Sequence, residues 1–179
     1  MTVTTQVIVL NGGSSSGKTT IARRLQEALP RPWIRMGVDD LVEALPPSLL
    51  DAASGLEFGE HGEVAVGDGF RQLQSAWLDG VAAMARAGAG VIIDDVFLGG
   101  GASQERMRPH LQGLDVLWVG VRCDAGVATA REKERGDRTT GMAASQATLV
   151  HEGVEYDLVV DTSHADAEEC ARLIAGAVA

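Results

Sequence analysis

Short apolar runs alternate with longer segments of helical periodicity along this chain of 179 residues. The runs have the length of β-strands, and they occupy residues 7–10, 33–36, 91–93, 114–121 and 158–160. Parallel strands need crossover connections, which helices supply. The alternation therefore predicts an α/β fold of three layers, in which a five-stranded parallel sheet lies between two layers of helices.

The segments between the runs carry apolar residues at helical spacing. They predict helices at residues 19–29, 39–45, 70–87, 103–111, 125–135, 142–150 and 165–178. Residues 48–69 are rich in Gly, Glu and Asp and lack this period. We expect them to form an excursion over the surface, with room for a small hairpin, that helps to wall a substrate pocket. Ligands of such sheets bind at the carboxyl ends of the strands, where we expect the site.

The size and charge of the chain limit its partners and its compartment. A length of 179 residues suits one domain, at residues 1–179. The formal net charge of −10 argues against nucleic acid and anionic membranes as partners. The two cysteines lack metal-ligand or redox spacing, and the apolar stretches are too interrupted for a signal peptide or a membrane span. These features predict a reduced, cytoplasmic protein.

The most specific motif is GGSSSGKT at residues 12–19, between the first predicted strand and the first predicted helix. It fits the phosphate-loop pattern G-x-x-x-x-G-K-[ST]. The glycines let successive backbone N–H groups point inward as an anion nest, and the helix N-terminus adds its positive dipole. We expect Lys18 to reach the β- and γ-phosphates and the Thr19 hydroxyl to hold Mg²⁺. The predicted nucleotide-binding residues are Gly12, Gly13, Ser14, Ser15, Ser16, Gly17, Lys18 and Thr19.

Two pairs of acidic residues stand at predicted strand ends. Asp94 and Asp95 follow the third run, in an arrangement that holds magnesium beside a phosphate loop; a helix cap or a turn is the alternative. Asp39 and Asp40 follow the second run, where a carboxylate can accept the proton of an acceptor hydroxyl or orient it. Either residue could instead cap the next helix, and for Asp40 we favour the cap.

Three arginines form the densest cationic cluster of the chain. Arg131, Arg135 and Arg138 are spaced by four and three residues, which places them on one face of a helix that continues through them. On a lid, such arginines neutralise charge as a phosphoryl group moves. The alternative is a solvated helix on which Glu132 and Glu134 pair with the basic residues. We favour a lid at about residues 125–145, because an acidic protein must bring positive charge to a polyanion.

Other side chains give weaker indications. The candidates for an apolar acceptor pocket are mostly expected in the core, since aromatic residues at helical spacing usually are; they are Trp33, Met36, Trp77 and Phe97. The four histidines have no ligand spacing and receive no predicted role; they are His61, His110, His151 and His164.

Five segments together, in this order, resemble the chloramphenicol phosphotransferase family over nearly the whole chain: residues 11–19, 37–39, 91–100, 134–138 and 150–157. The resemblance implies a sheet like that of nucleoside monophosphate kinases, with a helical lid. It also implies ATP-dependent phosphorylation of the primary (C3) hydroxyl of chloramphenicol, which inactivates the antibiotic. Mg²⁺ is the metal that the phosphate loop predicts.

The same resemblance implies roles for individual residues. The proposed base of the family falls on Asp39, the second acidic position on Asp94, and the lid arginines on Arg135 and Arg138. Ser16 and Thr19 stand where alanine and serine are familiar in that family, and both substitutions preserve the mechanics of the loop.

Two alternatives share the phosphate loop. A kinase of another small hydroxyl acceptor, such as a sugar, a nucleoside or a different antibiotic, would differ only in its acceptor pocket. A non-catalytic ATP-binding regulator would have no need of Asp39. The sequence leaves the acceptor pocket and the oligomeric state open.

Overall fold

A computed structural model describes residues 4–50, 52–60, 63–136 and 140–178. The strands are β1 (Val7–Asn11), β2 (Trp33–Gly37), β3 (Leu56–Phe58), β4 (Val64–Val66), β5 (Gly90–Asp95), β6 (Val116–Arg122) and β7 (Leu158–Asp161). Five of them form a sheet in the order β2-β5-β1-β6-β7, and every pair in it is parallel. The predicted α/β fold with a five-stranded parallel sheet is confirmed.

The described residues contain seven α-helices. They are α1 (Lys18–Ala28), α2 (Val38–Glu43), α3 (Asp68–Arg86), α4 (Gly101–Met107), α5 (Ala125–Arg135), α6 (Met142–Leu149) and α7 (Ala167–Ala177). Helix α4 stops well before the predicted end at residue 111. Pro109 explains this, because proline has no N–H to continue the helix and disfavours helical geometry in the residue before it. None of these helices is long and apolar enough to cross a membrane.

Strand β1 divides the apolar core in two. Successive side chains of a strand point to opposite faces, and all five residues of β1 are buried. Ile8 and Leu10 pack with α1 and α7, whereas Val7 and Val9 pack with α3 and α4. The two helical layers that the alternation predicts are therefore present, one on each face of the sheet.

The strand register brings the predicted site elements to one edge. Asn11, the last residue of β1, lies opposite Asp95 of β5, and Gly37 of β2 lies opposite Asp94. Asp94 and Asp95 are the final residues of β5, not residues beyond its end as the sequence suggested. The loop into α1, the acidic pair and the start of α2 consequently meet at the carboxyl edge of the sheet.

The surface excursion contains the expected hairpin. Strands β3 and β4 pair antiparallel, with Leu56 opposite Val66. Leu56 is buried in a small cluster with Leu41, Leu45 and Phe70, so the hairpin packs over α2 and the start of α3. This third cluster meets the core on the α3 side of the sheet at Trp77, and its residues border the site.

Candidate active site

The loop between β1 and α1 needs glycine at two points. A Cβ atom at Gly12 would lie 2.5 Å from the carbonyl oxygen of Val121, a separation that real Cβ atoms do not show. Gly17 has a φ of 93°, in the left-handed region that glycine adopts without strain. Ser15, with a φ of 58°, also lies in that region. Single residues in this conformation let the backbone curl into an anion nest.

The polar groups of the loop fit a polyanion. The Lys18 side chain is buried, and its ammonium group donates to the carbonyl oxygen of Gly13 at 2.9 Å. The hydroxyl oxygens of Ser14, Ser15 and Ser16 are buried and have no hydrogen-bond partner among the described residues. Buried polar groups are normally paired. Unused donors beside a buried ammonium group match the phosphates of ATP, so the donor set fits this nucleotide.

Helix α6 contacts the loop through a residue that the sequence did not single out. The backbone N–H of Ser14 donates to Oε1 of Gln146 at 2.8 Å. A Cβ atom at Gly13 would lie 3.1 Å from the Cβ atom of Gln146. A phosphate oxygen at this N–H would therefore compete with Gln146. No local pattern in the sequence marks a glutamine for this contact, which spans 132 positions.

The candidate magnesium ligands lie together. Thr19 Oγ1 donates to Asp94 Oδ2 at 2.7 Å, and Asp94 is 6% exposed. Magnesium prefers oxygen ligands and is held by one or two carboxylates together with water and substrate phosphates. The hydroxyl and carboxylate beside the phosphate loop fit that ligand set. The described residues contain no cluster of three or more His, Cys, Asp or Glu side chains that could hold a metal ion by themselves.

Asp95 adds a second buried carboxyl group at the same edge. Burial raises its pKa to about 6, and the charges of Asp94 and Asp39 act in the same direction. The N–H of Val96, which donates to Asp95 Oδ1 at 2.6 Å, and the charge of Lys18 oppose the shift. This edge of the sheet thus concentrates negative charge around Lys18, and a bound cation would compensate that negative charge.

Asp39 and Asp40 occupy different environments at the start of α2. Asp40 accepts a hydrogen bond from the N–H of Gly37 and pairs with Arg35 at 3.3 Å. It therefore makes the capping interaction that we favoured, but as the third residue of α2, because the helix begins at Val38 and not after Asp40. Asp39 is exposed and lines a cavity that also contains the phosphate loop. Arg35 approaches the buried carboxylate as well, since its Nη1 lies 3.8 Å from Asp94 Oδ2.

The predicted lid arginines have three different outcomes. Arg135, the last residue of α5, lines the cavity. Arg138 lies outside the described residues. Arg131 does not share the cavity face: its guanidinium donates to the carbonyl oxygen of Thr162 at 2.8 Å and to the hydroxyl of Thr162 at 3.1 Å. Arg131 thus ties α5 to the segment after β7 and is not among the cavity-lining residues, so its expected place in the phosphate-facing cluster was wrong.

The carboxylate of Glu132 connects α5 with α6. It is buried and accepts hydrogen bonds from the N–H groups of Gly141, at 3.0 Å, and Ala143, at 2.8 Å. A carboxylate at this point satisfies donors at the start of α6 that have no helical partner. The alternative in which Glu132 pairs with basic residues of its own helix is wrong, because its oxygens face the backbone of the next helix.

The cavity beyond the phosphate loop has a volume of about 240 Å³. Its apolar wall comes from α2, the hairpin and the first turn of α3, and includes Val42, Leu56, Phe58, Val64, Val66 and Phe70. Of the four apolar candidates, Phe97 lines the cavity, whereas Trp33, Trp77 and Met36 pack in the cores. Sequence reasoning placed the hairpin part of the wall in the excursion at residues 48–69, but it missed the contributions of Val42 and Phe70 and did not identify the individual side chains.

A buried polar network supports the base of the loop. Asn11 Nδ2 donates to the hydroxyl of Tyr156 and to the carbonyl oxygen of Val150, and Asn11 Oδ1 accepts from the N–H of Phe97. The Tyr156 hydroxyl lies 2.6 Å from His151 Nδ1. Burial, followed by the positive charges of Arg122 and Lys18, lowers the pKa of His151 to about 4. His151, to which the sequence assigned no role, is therefore a neutral member of this network.

Comparison with known proteins places this arrangement in a family. The family model described as "Chloramphenicol phosphotransferase-like protein" matches residues 5–179. The protein named "Putative O-phosphotransferase Rv2636" from Mycobacterium tuberculosis (strain ATCC 25618 / H37Rv) is 33% identical, covering 93% of this chain and 79% of that protein. A shikimate kinase from Corynebacterium diphtheriae (strain ATCC 700971 / NCTC 13129 / Biotype gravis) is 34% identical, covering 94% of this chain and 90% of that protein.

A solved structure shows the same fold. The unliganded sugar kinase from Janibacter sp. HTCC2649 superimposes with a TM-score of 0.72 at 21% identity, covering 98% of this chain and 96% of that one. The fold, the phosphate loop and the family match agree with one another. This chain therefore belongs to the chloramphenicol phosphotransferase-like family, among the small-molecule kinases of the P-loop kinase fold.

Proposed function

We propose that this protein transfers the γ-phosphoryl group of ATP to the primary (C3) hydroxyl of chloramphenicol, which inactivates the antibiotic. The observation that supports a hydroxyl acceptor is that one cavity joins the phosphate loop, Asp39 and an apolar wall. A nucleotide-binding switch would need only the first of these. The family match supports chloramphenicol as the first acceptor to test.

In this proposal the chain holds both reactants in line. The backbone N–H groups of the loop and the Lys18 ammonium bind the phosphates, and Thr19 and Asp94 hold Mg²⁺. Bound there, Mg²⁺ would neutralise charge on the β- and γ-phosphates. The acceptor oxygen forms a bond to the γ-phosphorus while the bond from that phosphorus to the bridging oxygen breaks, and ADP leaves. Asp39 orients the acceptor hydroxyl and receives its proton.

The region at about residues 125–145 acts as a lid in this proposal, within one domain at residues 1–179. Arg135 lines the cavity, so its guanidinium can face the phosphates when the nucleotide is bound. Arg138 is proposed to act beside it. Phosphoryl transfer passes through a loose transition state in which charge spreads over the phosphoryl oxygens, and arginines stabilise that charge.

The decisive experiment is a phosphorylation assay. Wild-type protein is incubated with ATP, Mg²⁺ and chloramphenicol, and the products are analysed by mass spectrometry for a phosphorylated antibiotic. We expect ADP and the phosphate ester in equal amounts, and far less of both with Lys18→Ala. If no ester forms although other hydroxyl compounds in a panel are phosphorylated, chloramphenicol is not the acceptor.

A kinase of another hydroxyl acceptor is the second candidate. It is supported by the relative named a shikimate kinase and by the sugar kinase that shares the fold. The same assay with sugars, nucleosides and hydroxy acids tests it. Binding of ATP without a product from any acceptor would instead support a non-catalytic regulator.

A further inference from the structure

Two arginines reach the cavity from the side of the sheet opposite α1. On α3, Arg71 lines the cavity together with Gln74 and Leu78, at the spacing of three and four residues that defines one helix face. On α4, Arg106 lines it three residues after Ser103. Helices α3 and α4 pack on the face of the sheet that α1 does not cover. The cavity therefore receives positive charge from two elements that do not form the phosphate loop.

These two guanidinium groups lack carboxylate partners in the part of the chain that the structure describes. Arg106 Nη2 donates to the hydroxyl of Ser103 at 2.9 Å, and neither Arg71 nor Arg106 forms an ion pair there. Arg35, which lines the same cavity, contacts both Asp40 and Asp94. The chain has 25 acidic and 15 basic residues, so partners for the two arginines are not scarce.

The two arginines also repel each other. Burial lowers the pKa of Arg106, and the positive charge of Arg71 lowers it further. Two like charges brought to one cavity are unfavourable unless an anion lies between them. A ligand anion would remove this repulsion, and no carboxylate of the described residues forms an ion pair with either arginine in its place.

The position of the pair relative to the apolar wall indicates which ligand it meets. Arg71 follows Phe70, which packs with Leu56 of the hairpin. Arg106 precedes Met107, which lines the cavity and packs beside Phe97. Both cations therefore border the apolar wall of the acceptor region, whereas Lys18 and Arg135 belong to the nucleotide side in our proposal.

We propose that Arg71 and Arg106 form an anion subsite, and that the protein takes, besides chloramphenicol, hydroxy compounds with an apolar body and a carboxylate group. This rests on the proposed transfer to a hydroxyl acceptor. The planar fork of an arginine matches the two oxygens of a carboxylate. Chloramphenicol is neutral, and its nitro group presents two planar oxygens without a full charge, so it fits the pair more weakly than a carboxylate.

The test measures binding separately from transfer. Hydroxy acids and their neutral amides form matched pairs, for example tropate, which has a phenyl ring and a primary alcohol, and tropamide. Their affinities for the full chain are measured by ligand-observed NMR. We expect the acids to bind about tenfold more tightly than the amides, since hydrogen bonds to charged groups are worth about that factor or more.

Variants assign the preference to the two side chains. Arg71→Gln or Arg106→Gln should each reduce the affinity for the acid about tenfold and leave the affinity for the amide within about twofold. Arg24→Gln is the matched control, because it removes a positive charge from an exposed pair on α1 that does not line the cavity. It should change neither affinity.

Three outcomes separate the claims. Equal binding of acids and amides, or no binding by either, would overturn the anion subsite. An equal loss of ATP affinity in Arg71→Gln and Arg106→Gln would also overturn it, because the arginines would then serve the nucleotide. A preference for acids that both variants abolish would support the subsite, even if no phosphorylated product formed and the proposed reaction failed.

Discussion

Lys18 and Asp39 line the same cavity but serve different partners in the proposed reaction. Because positioning and charge stabilisation dominate phosphoryl transfer, we expect Lys18→Ala to lower kcat/KM at least as severely as Asp39→Asn. Loss of one donor to a developing charge typically costs about 10²-fold or more. Steady-state kinetics with the best acceptor, with melting temperatures recorded in parallel, measures both effects.

The two variants should differ in which step they damage. Lys18→Ala should also weaken ATP binding, whereas Asp39→Asn should retain it. If Asp39→Asn kept nearly full transferase activity, Asp39 would neither orient the acceptor nor accept its proton. If either variant lost melting temperature and activity in proportion, the side chain would be structural.

His151 makes the stability of the protein dependent on pH. Its pKa is about 4 in the folded protein and near 6.5 in the unfolded chain. Below pH 6.5 the unfolded chain binds a proton that the folded protein rejects, so the free energy of unfolding falls as the pH drops toward 4. By pH 5 the protonation of His151 in the unfolded chain should have lowered the free energy of unfolding by about 2 kcal/mol, since each pKa unit corresponds to about 1.4 kcal/mol.

The variant His151→Gln tests this dependence by urea unfolding near pH 7 and near pH 5. The variant should be less stable than wild type near pH 7, because it disrupts the hydrogen bond to Tyr156. The difference should shrink near pH 5, since glutamine does not titrate. If the free energies of unfolding of the two proteins instead changed in parallel with pH, folding would not lower the pKa of His151.

The local motif of the site could be predicted from the sequence, but its long-range contacts could not. The phosphate loop is contiguous, and each of its residues has a role fixed by its position in the pattern. Gln146 and Tyr156 act through contacts with residues more than 130 positions away, and His151 joins this network through Tyr156. Their residue types occur in every protein, so only the fold shows what they touch.

At the scale of elements, the junction of α5 and α6 depends on Glu132. Glu132→Gln replaces one of the two carboxylate oxygens with an amide N–H₂ group, which cannot accept from a backbone N–H. At least one of the two hydrogen bonds to the start of α6 is therefore lost. We expect a loss of about 1–3 kcal/mol, because the donors are left in a buried environment. Hydrogen exchange should accelerate at residues 141–149 while the exchange of the β-sheet stays unchanged.

Glu134→Gln is the matched control on the same helix, since Glu134 is exposed. It should leave exchange in α6 unaltered. Similar acceleration in both variants would mean that the negative charge of α5, and not the contact of Glu132 with α6, stabilises the junction.

Periodicity predicted the existence of the elements better than their ends. The alternation of apolar runs was sufficient for the sheet and both helical layers, since burial on two faces leaves a strong pattern. It overestimated α4, where Pro109 ends the helix although apolar residues continue to Leu111. It placed the hairpin part of the pocket wall in the excursion, but short strands such as β3 carry too little pattern to identify the side chains that face the cavity.

At the scale of the whole molecule, positive charge is gathered where the net charge opposes it. The chain is acidic, with a net charge of −10, yet Lys18, Arg35, Arg71, Arg106 and Arg135 all line one cavity. These basic side chains outnumber the acidic ones of the lining, Asp39, Asp94 and Asp95, so the cavity can attract anions locally even though the whole protein repels them. This placement could not be predicted from composition, because it depends on bringing α1, β2, α3, α4 and α5 together.

The core between α1 and α7 should determine the global stability, and two adjacent residues of α7 test this. Ile174 is completely buried against this core, whereas Leu173 is 58% exposed. Ile174→Ala should lower the free energy of unfolding by about 2–5 kcal/mol, through lost burial and the cavity that remains. Leu173→Ala removes the same number of carbon atoms from an exposed position and should stay within about 0.5 kcal/mol. Urea unfolding followed by far-UV circular dichroism measures both.

Because α7 does not line the active-site cavity, ATP affinity under native conditions should be unchanged in both variants. A large effect of Leu173→Ala would instead show that this exposed face is covered in solution, and a small effect of Ile174→Ala would show that α7 contributes little to the cooperative core.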